Sequence, residues 1–155
     1  MPRPLQSPAS AAVHAPLFMG EFRHAIDGKG RITIPADWRF RDEADFFLIP
    51  SSNGACLKVM PREEIERLRA QAAGLAGPQR LEVLRALGSG TRQCKLDKAG
   101  RLVLPPEFCR LLHLSGEVTL AGAIETFEIW SGRAWDNAKS KNVALATPHL
   151  AQFGL

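Results

Sequence analysis

The segment Asp27-Gly28-Lys29-Gly30-Arg31-Ile32-Thr33-Ile34-Pro35 returns as Asp97-Lys98-Ala99-Gly100-Arg101-Leu102-Val103-Leu104-Pro105, at a constant offset of 70 residues. The register then continues without a gap: Trp38 falls on Phe108, Leu57 on Phe127, Val59 on Ile129, Met60 on Trp130 and Ile65 on Trp135. Such a repeat constrains the fold more than any local pattern, because each unit is one small module that has to bury its apolar face against its twin. At 155 residues the chain has room for one ordinary domain or two very small ones, and a unit of about 50 residues buries too little surface alone. The expectation is two tandem units around one shared core, pseudo-twofold within a single chain.

Each unit reads the same way. A short alternating stretch, Glu21 to Ile26 or Thr91 to Leu96, predicts a strand. The apolar, β-branched run after each arginine, Ile32-Thr33-Ile34 or Leu102-Val103-Leu104, predicts a returning strand. Between them Asp27 and Gly30, or Asp97 and Gly100, supply turn chemistry, since glycine reaches positive φ and aspartate bonds to nearby backbone. Each unit is thus expected to open with a hairpin.

Pro35 and Pro105 end those strands and start short helices, where a missing N–H costs nothing, and Trp38 and Phe108 anchor them in the core. A second strand pair follows: Phe46 to Ile49 with Ala55 to Met60, and Val118 to Ala121 with Thr126 to Trp130. A helix closes each unit. In the first it spans Pro61 to Arg69, with Ile65 and Leu68 on one face; in the second, Ser131 caps a helix over Gly132 to Lys141. Gly74-Leu75-Ala76-Gly77-Pro78 breaks the chain before a further helix at Gln79 to Leu87. The expected organisation is a disordered extension over 1–17, a first unit over 18–74, a linker with a helix over 75–89, a second unit over 90–142 and a tail over 143–155. The fold class is α+β, with small β-barrel-like units flanked by helices.

Composition excludes more than it selects. No apolar run approaches the roughly 18 residues a membrane-spanning helix needs, and Met1 to Pro16, rich in proline, alanine and serine, lacks the features of a signal peptide; Met19 is an alternative start. The three cysteines, Cys56, Cys94 and Cys109, form no close-spaced pair, which fits a reducing cytoplasm and suggests neither a disulfide framework nor a zinc site. Net charge is +4, compatible with nucleic acid. Its position matters more than its size: between Gly90 and Leu104, Arg92, Lys95, Lys98 and Arg101 face only Asp97.

Phe18-Met19-Gly20-Glu21-Phe22, the two Asp-x-x-x-Arg turns with glycine directly before arginine, the proline after each strand, and Glu128-Ile129-Trp130-Ser131 together resemble the MraZ family of the SpoVT/AbrB-like superfamily. The likeness runs from Phe18 to Lys141. It implies an AbrB-like swapped-hairpin fold and a DNA-binding transcription regulator of the division and cell-wall gene cluster. Such a protein binds short tandem repeats in double-stranded DNA upstream of its own operon, is nucleoid-associated and assembles into rings. It also implies that Lys29, Arg31, Lys98 and Arg101 contact DNA. Gly28, and Ala99 before Gly100, depart from the family's more usual turn residues and loosen the turn without removing its charge.

Arg31 and Arg101 begin strands straight after tight turns, so each guanidinium is stiffly placed to meet guanine O6 and N7 with two bonds. Lys29, Lys98, Arg23, Arg92 and Lys95 suit phosphate, which supplies affinity without sequence information. Asp27 and Asp97, with Gly30 and Gly100, are read as bracing the turns and aiming the arginines; the plainer reading makes each Asp–Arg pair an exposed turn staple of ~0–1 kcal/mol. A cyclic assembly would present several such heads in one sense and gain from effective concentration on repeated sites.

Other chemistries fit less well. Paired aspartates invite comparison with an aspartic-protease dyad, but the flanking lysines and arginines keep both ionised and oppose a shared proton. The glycines match neither dinucleotide nor P-loop spacing. His14, His24, His113 and His149 are scattered, and Cys94 stands where His24 stands in the first unit, so no metal-ligand pair repeats. No catalysis, metal or cofactor is expected. The alternative function is an AbrB-like antitoxin or other partner-binding protein acting through its helices.

Overall fold

The computed structural model describes residues 15–42 and 44–155; most of the expected disordered extension, 1–14, lies outside the described residues. The first copy contributes strands β1 (Glu21–Ala25), β2 (Arg31–Thr33), β3 (Asp45–Pro50) and β4 (Leu57–Met60), with a 3-10 turn at Ala36–Trp38, then helices α1 (Arg62–Ala72) and α2 (Gly77–Gly90). The second contributes β5 (Arg92–Lys95), β6 (Arg101–Val103), helix α3 (Pro106–Leu112), β7 (Glu117–Gly122), β8 (Phe127–Ser131) and helix α4 (Gly132–Ala151).

Six strands form one antiparallel sheet in the order β1-β7-β8-β4-β3-β5. Under the 70-residue correspondence this order reads the same from either end. Its two outer strands have changed sides: β1 of the first copy pairs with β7, and β5 of the second pairs with β3. At the centre β4 meets β8 with Leu57 opposite Ile129, Lys58 opposite Glu128 and Val59 opposite Phe127.

The pairing corrects the expected opening hairpin. The turn closes with one rung, the Asp27 N–H donating to the Arg31 carbonyl at 2.9 Å, after which the strands part. β2 then pairs antiparallel with β6 of the other copy, as a separate two-stranded ribbon. Three-residue strands are too short to stand alone; joined across the pseudo-twofold, they place Ile32 and Leu102 side by side, both fully buried. The expected barrel-like closure is corrected as well. Among the described residues the sheet stays open, its edges β1 and β5 are not paired with each other, and the ribbon lies apart from it.

Strand alternation sorts the molecule into layers. Phe46, Leu48, Leu57, Val59, Val118, Leu120, Phe127 and Ile129 point from the sheet toward the ribbon, meeting Ile32, Ile34, Leu102 and Leu104 in one core. Trp38 fills the middle of it at 1% exposure, packed on Phe18, Phe22 and Phe127 with ring centroids 4.8 to 5.8 Å apart, and its indole N–H donates to the Met19 carbonyl at 3.1 Å. The opposite face of the sheet carries Phe47 and Met60 toward α1 and Trp130 toward α4. Ser131 caps α4 as expected, its hydroxyl accepting from the Ala134 N–H at 3.3 Å. That helix does not stop near Lys141; it continues to Ala151.

Candidate nucleic-acid interface

Each Asp-x-x-x-Arg turn is held by the same bonds. Asp27 Oδ1 accepts from the backbone N–H groups of Lys29 and Arg31, both at 2.9 Å, while Oδ2 accepts from Arg31 Nε at 2.7 Å. In the second copy Asp97 Oδ1 accepts from the N–H groups of Ala99 and Arg101, both at 2.9 Å, and Oδ2 from Arg101 Nε at 2.9 Å. Gly30 and Gly100 take φ of +74° and +77°, a region closed to most side chains. The Arg31 N–H first, then its guanidinium and the Lys29 N–H, holds the Asp27 carboxyl below its ordinary value of 3.8. The Arg101 N–H, followed by its guanidinium, does the same for Asp97. Both carboxylates stay charged at neutral pH, which preserves the brace.

Because Arg31 and Arg101 bind their aspartates through Nε, the terminal nitrogens Nη1 and Nη2 have no protein partner among the described residues. The ribbon register sets their direction. Arg31 lies opposite Val103 and Arg101 opposite Thr33, and cross-strand partners share a face. Arg31, Thr33, Arg101 and Val103 therefore stand together on the outer side of the ribbon, with Ile32 and Leu102 on the inner side. The arginine side chains are 25% and 36% exposed. Diagonal neighbours of this kind lie roughly 7–8 Å apart, about two base-pair steps of 3.4 Å.

The turns themselves sit at opposite ends of the ribbon, each fastened to the other copy. The Ile34 N–H donates to the Gly100 carbonyl and the Leu104 N–H to the Gly30 carbonyl, both at 2.9 Å. Lys29 and Lys98 ride on these turns.

The other three basic residues considered from sequence are elsewhere. Arg23, opposite Thr119, and Lys95, opposite Asp45, point to the helix side of the sheet. Arg92 points to the core side at the β5 edge, where its guanidinium lies 5.6 Å from the Phe108 ring centre and bonds Glu107 at 3.2 Å and the Ser89 carbonyl at 2.9 Å. Two arginines that sequence reasoning passed over do reach the turns. Arg39 lies across Gly100, and Arg110 lines the cleft beside Asp27 and Lys29. Neither belongs to a motif, and their only sequence signal was a position just beyond the ribbon strand.

Other chemistry leaves little trace. Among the described residues no three of His, Cys, Asp and Glu converge as a metal site. Burial, with Glu128 nearby, pushes the Cys56 thiol up to about 12, and burial raises Cys94 and Cys109. No described helix is long and apolar enough to cross a membrane.

Residues 17–82 and 87–152 each match the family described as "MraZ protein, putative antitoxin-like". The chain belongs to the MraZ family. The paired matches follow the duplication already seen in the sheet. Relatives named "Transcriptional regulator MraZ" include one from Lachnoclostridium phytofermentans, 33% identical over 141 residues, covering 90% of this chain and 99% of that protein. One from Roseiflexus castenholzii is 35% identical over 143 residues, covering 88% and 99%. One from Mycolicibacterium smegmatis is 34% identical over 137 residues, covering 84% and 94%.

Proposed function

We propose that this MraZ-family chain is a sequence-specific DNA-binding transcription regulator whose reading head is the β2–β6 ribbon. The observation that carries the reading is the pair of Asp-braced guanidinium groups on one outward ribbon face, each with both terminal nitrogens unengaged among the described residues. A major groove admits a two-stranded ribbon, and a terminal guanidinium edge matches guanine O6 and N7. Thr33 and Val103 between the arginines suit apolar contact with a thymine methyl group. Lys29 and Lys98 at the ribbon ends serve the flanking phosphates. Regulation by the relatives' printed name supports the same class of activity and gives no support to an enzyme.

The finer reading follows the family: an AbrB-like swapped pair within one chain, acting on tandem repeats upstream of its own operon in the division and cell-wall cluster, as a ring. Self-association is supported by α2 and α4, which bury no residue of their own and expose Leu81, Val83, Val143 and Leu145. The same faces are what an antitoxin-like partner binder would use. A chain that sediments as a monomer on its own and binds no DNA would favour that second reading.

The decisive test is a gel-shift titration against duplex DNA from upstream of this chain's gene, at two salt concentrations, with wild type and Arg31→Ala/Arg101→Ala. Each lost bidentate contact is expected to cost about 1–3 kcal/mol of binding, with sequence preference relaxed and the fold retained by circular dichroism. Unchanged affinity and preference would overturn the reading.

A further inference from the structure

Arg39 follows the 3-10 turn directly, and its own N–H donates back to the Ala36 carbonyl at 3.1 Å. Its neighbour Trp38 is locked in the core, so the Arg39 backbone has little freedom. From there the side chain crosses into the second copy and lies along the backbone of the Asp97–Arg101 turn. A methyl group built on Gly100 would stand 2.6 Å from Arg39 Cδ and 2.7 Å from Cζ, and closer still to Nη1. Glycine at this position thus does two jobs: it accepts the positive φ, and it leaves the seat on which the arginine rests.

The guanidinium of Arg39 has no hydrogen bond or ion pair among the described residues, although acids are near. Asp97 is occupied by Arg101 and Ala99, and the adjacent Arg41 is paired with Glu63 at 2.9 Å. Asp42 lines the same cleft without bonding to it. Arg39 and Lys98 flank that cleft together. The first turn also has an arginine beside it, Arg110 in the cleft with Asp27 and Lys29, but it is seated differently. At the position equivalent to Arg39 stands Cys109, and a methyl on Gly30 would meet only the Leu104 carbonyl, at 3.8 Å.

We infer that Arg39 is a further DNA-contacting residue, a phosphate-binding cation lent by the first copy to the second copy's turn. The inference rests on the ribbon being the DNA-binding face. A cation in van der Waals contact with the turn, unpaired among the described residues and beside Lys98, sits where the DNA backbone flanking the groove would pass. It adds affinity through counterion release and reads no base.

Binding to the upstream duplex is measured over a salt series for wild type, Arg39→Ala and Arg39→Lys, with thermal unfolding as the check on folding. Arg39→Ala should weaken binding several-fold at low salt and flatten the log affinity against log salt slope by about one, without changing preference among sequences. Arg39→Lys should restore the slope.

Should Arg39→Ala bind with wild-type slope and affinity while Arg31→Ala/Arg101→Ala loses binding, this inference falls and the ribbon reading stands. If neither variant has an effect, the ribbon reading falls too. Altered sequence preference in Arg39→Ala would make it a base reader and overturn the phosphate role.

Discussion

In the first copy the chain leaving α1 turns at Gly74 and comes back as α2; in the second, α4 runs straight on from Gly132 to Ala151. The sequence difference is small. Ala144 and Thr147 stand where the first copy has Gly74 and Gly77, and Pro148 stands where it has Pro78. Replacing the glycines favours helix continuation by up to roughly 1 kcal/mol each, and the helix runs on although Pro148 lies inside it. Two further contrasts follow the same line. Phe18, central to the aromatic core, has Gly88 of α2 as its counterpart. The β3–β4 loop turns at Gly54 with φ +69°, while the β7–β8 loop turns at Ile124 with φ +68°, held there by two backbone bonds to Phe18 of 2.8 and 3.0 Å. The copies agree at the ribbon and the central strands, where each must fit the other, and differ at the periphery, where each meets something different.

The largest effect expected from this contrast lies in the core. Trp38→Ala should cost about 3–5 kcal/mol of stability, because three aromatic rings surround the indole. Phe108→Ala, at a residue 6% exposed on the rim beside Arg92, should fall at or below the lower end of that range. Urea unfolding midpoints compare the two, and equal losses would break the claim that the shared core leans toward the first copy.

A smaller effect sharpens the loop comparison. A β-branched residue in the left-handed region costs roughly 1–2 kcal/mol, so Gly54→Ile should lower the unfolding temperature. Ile124→Gly should be neutral or stabilising, since relief of that strain is set against the ~0.5–1 kcal/mol entropy cost of a glycine. If Gly54→Ile is harmless, backbone conformation is not what separates the loops.

The smallest effect tests where the copies are claimed to be alike. With both turn carboxyls held below 3.8, their contribution to stability is complete above that value and is lost as pH falls through the lower folded-state value. Carboxylate titration by NMR should show Asp27 and Asp97 depressed together. Either one titrating at or above 3.8 would mean that its turn is not braced as its twin is.

Much of this was legible from the residues. The repeat gave the units, the alternation of Phe46 to Ile49 gave a strand, Trp38 and Phe108 read as anchors, and Asp27 and Asp97 as turn residues. What stayed hidden was partnership. Period-two alternation tells which side of β2 is buried but not that its neighbour is β6, some 70 residues away. For the same reason Arg23 and Lys95 could be counted with the basic set although they face the helices; a linear count of charge carries no face. Arg39 was invisible because its significance depends on a glycine in the other copy.

The exchanged edge strands bear on ancestry and on what can be built from this chain. A lone half would lack the neighbour for its first strand and could recover it only by finding a second half, so the body is a homodimer written as one polypeptide. A true homodimer must spell both ends of its ribbon with the same letters. Fusion lifts that requirement, and Arg39 lying across Gly100 while Cys109 holds the equivalent position in the other copy is the kind of mismatch that only a fused pair can keep.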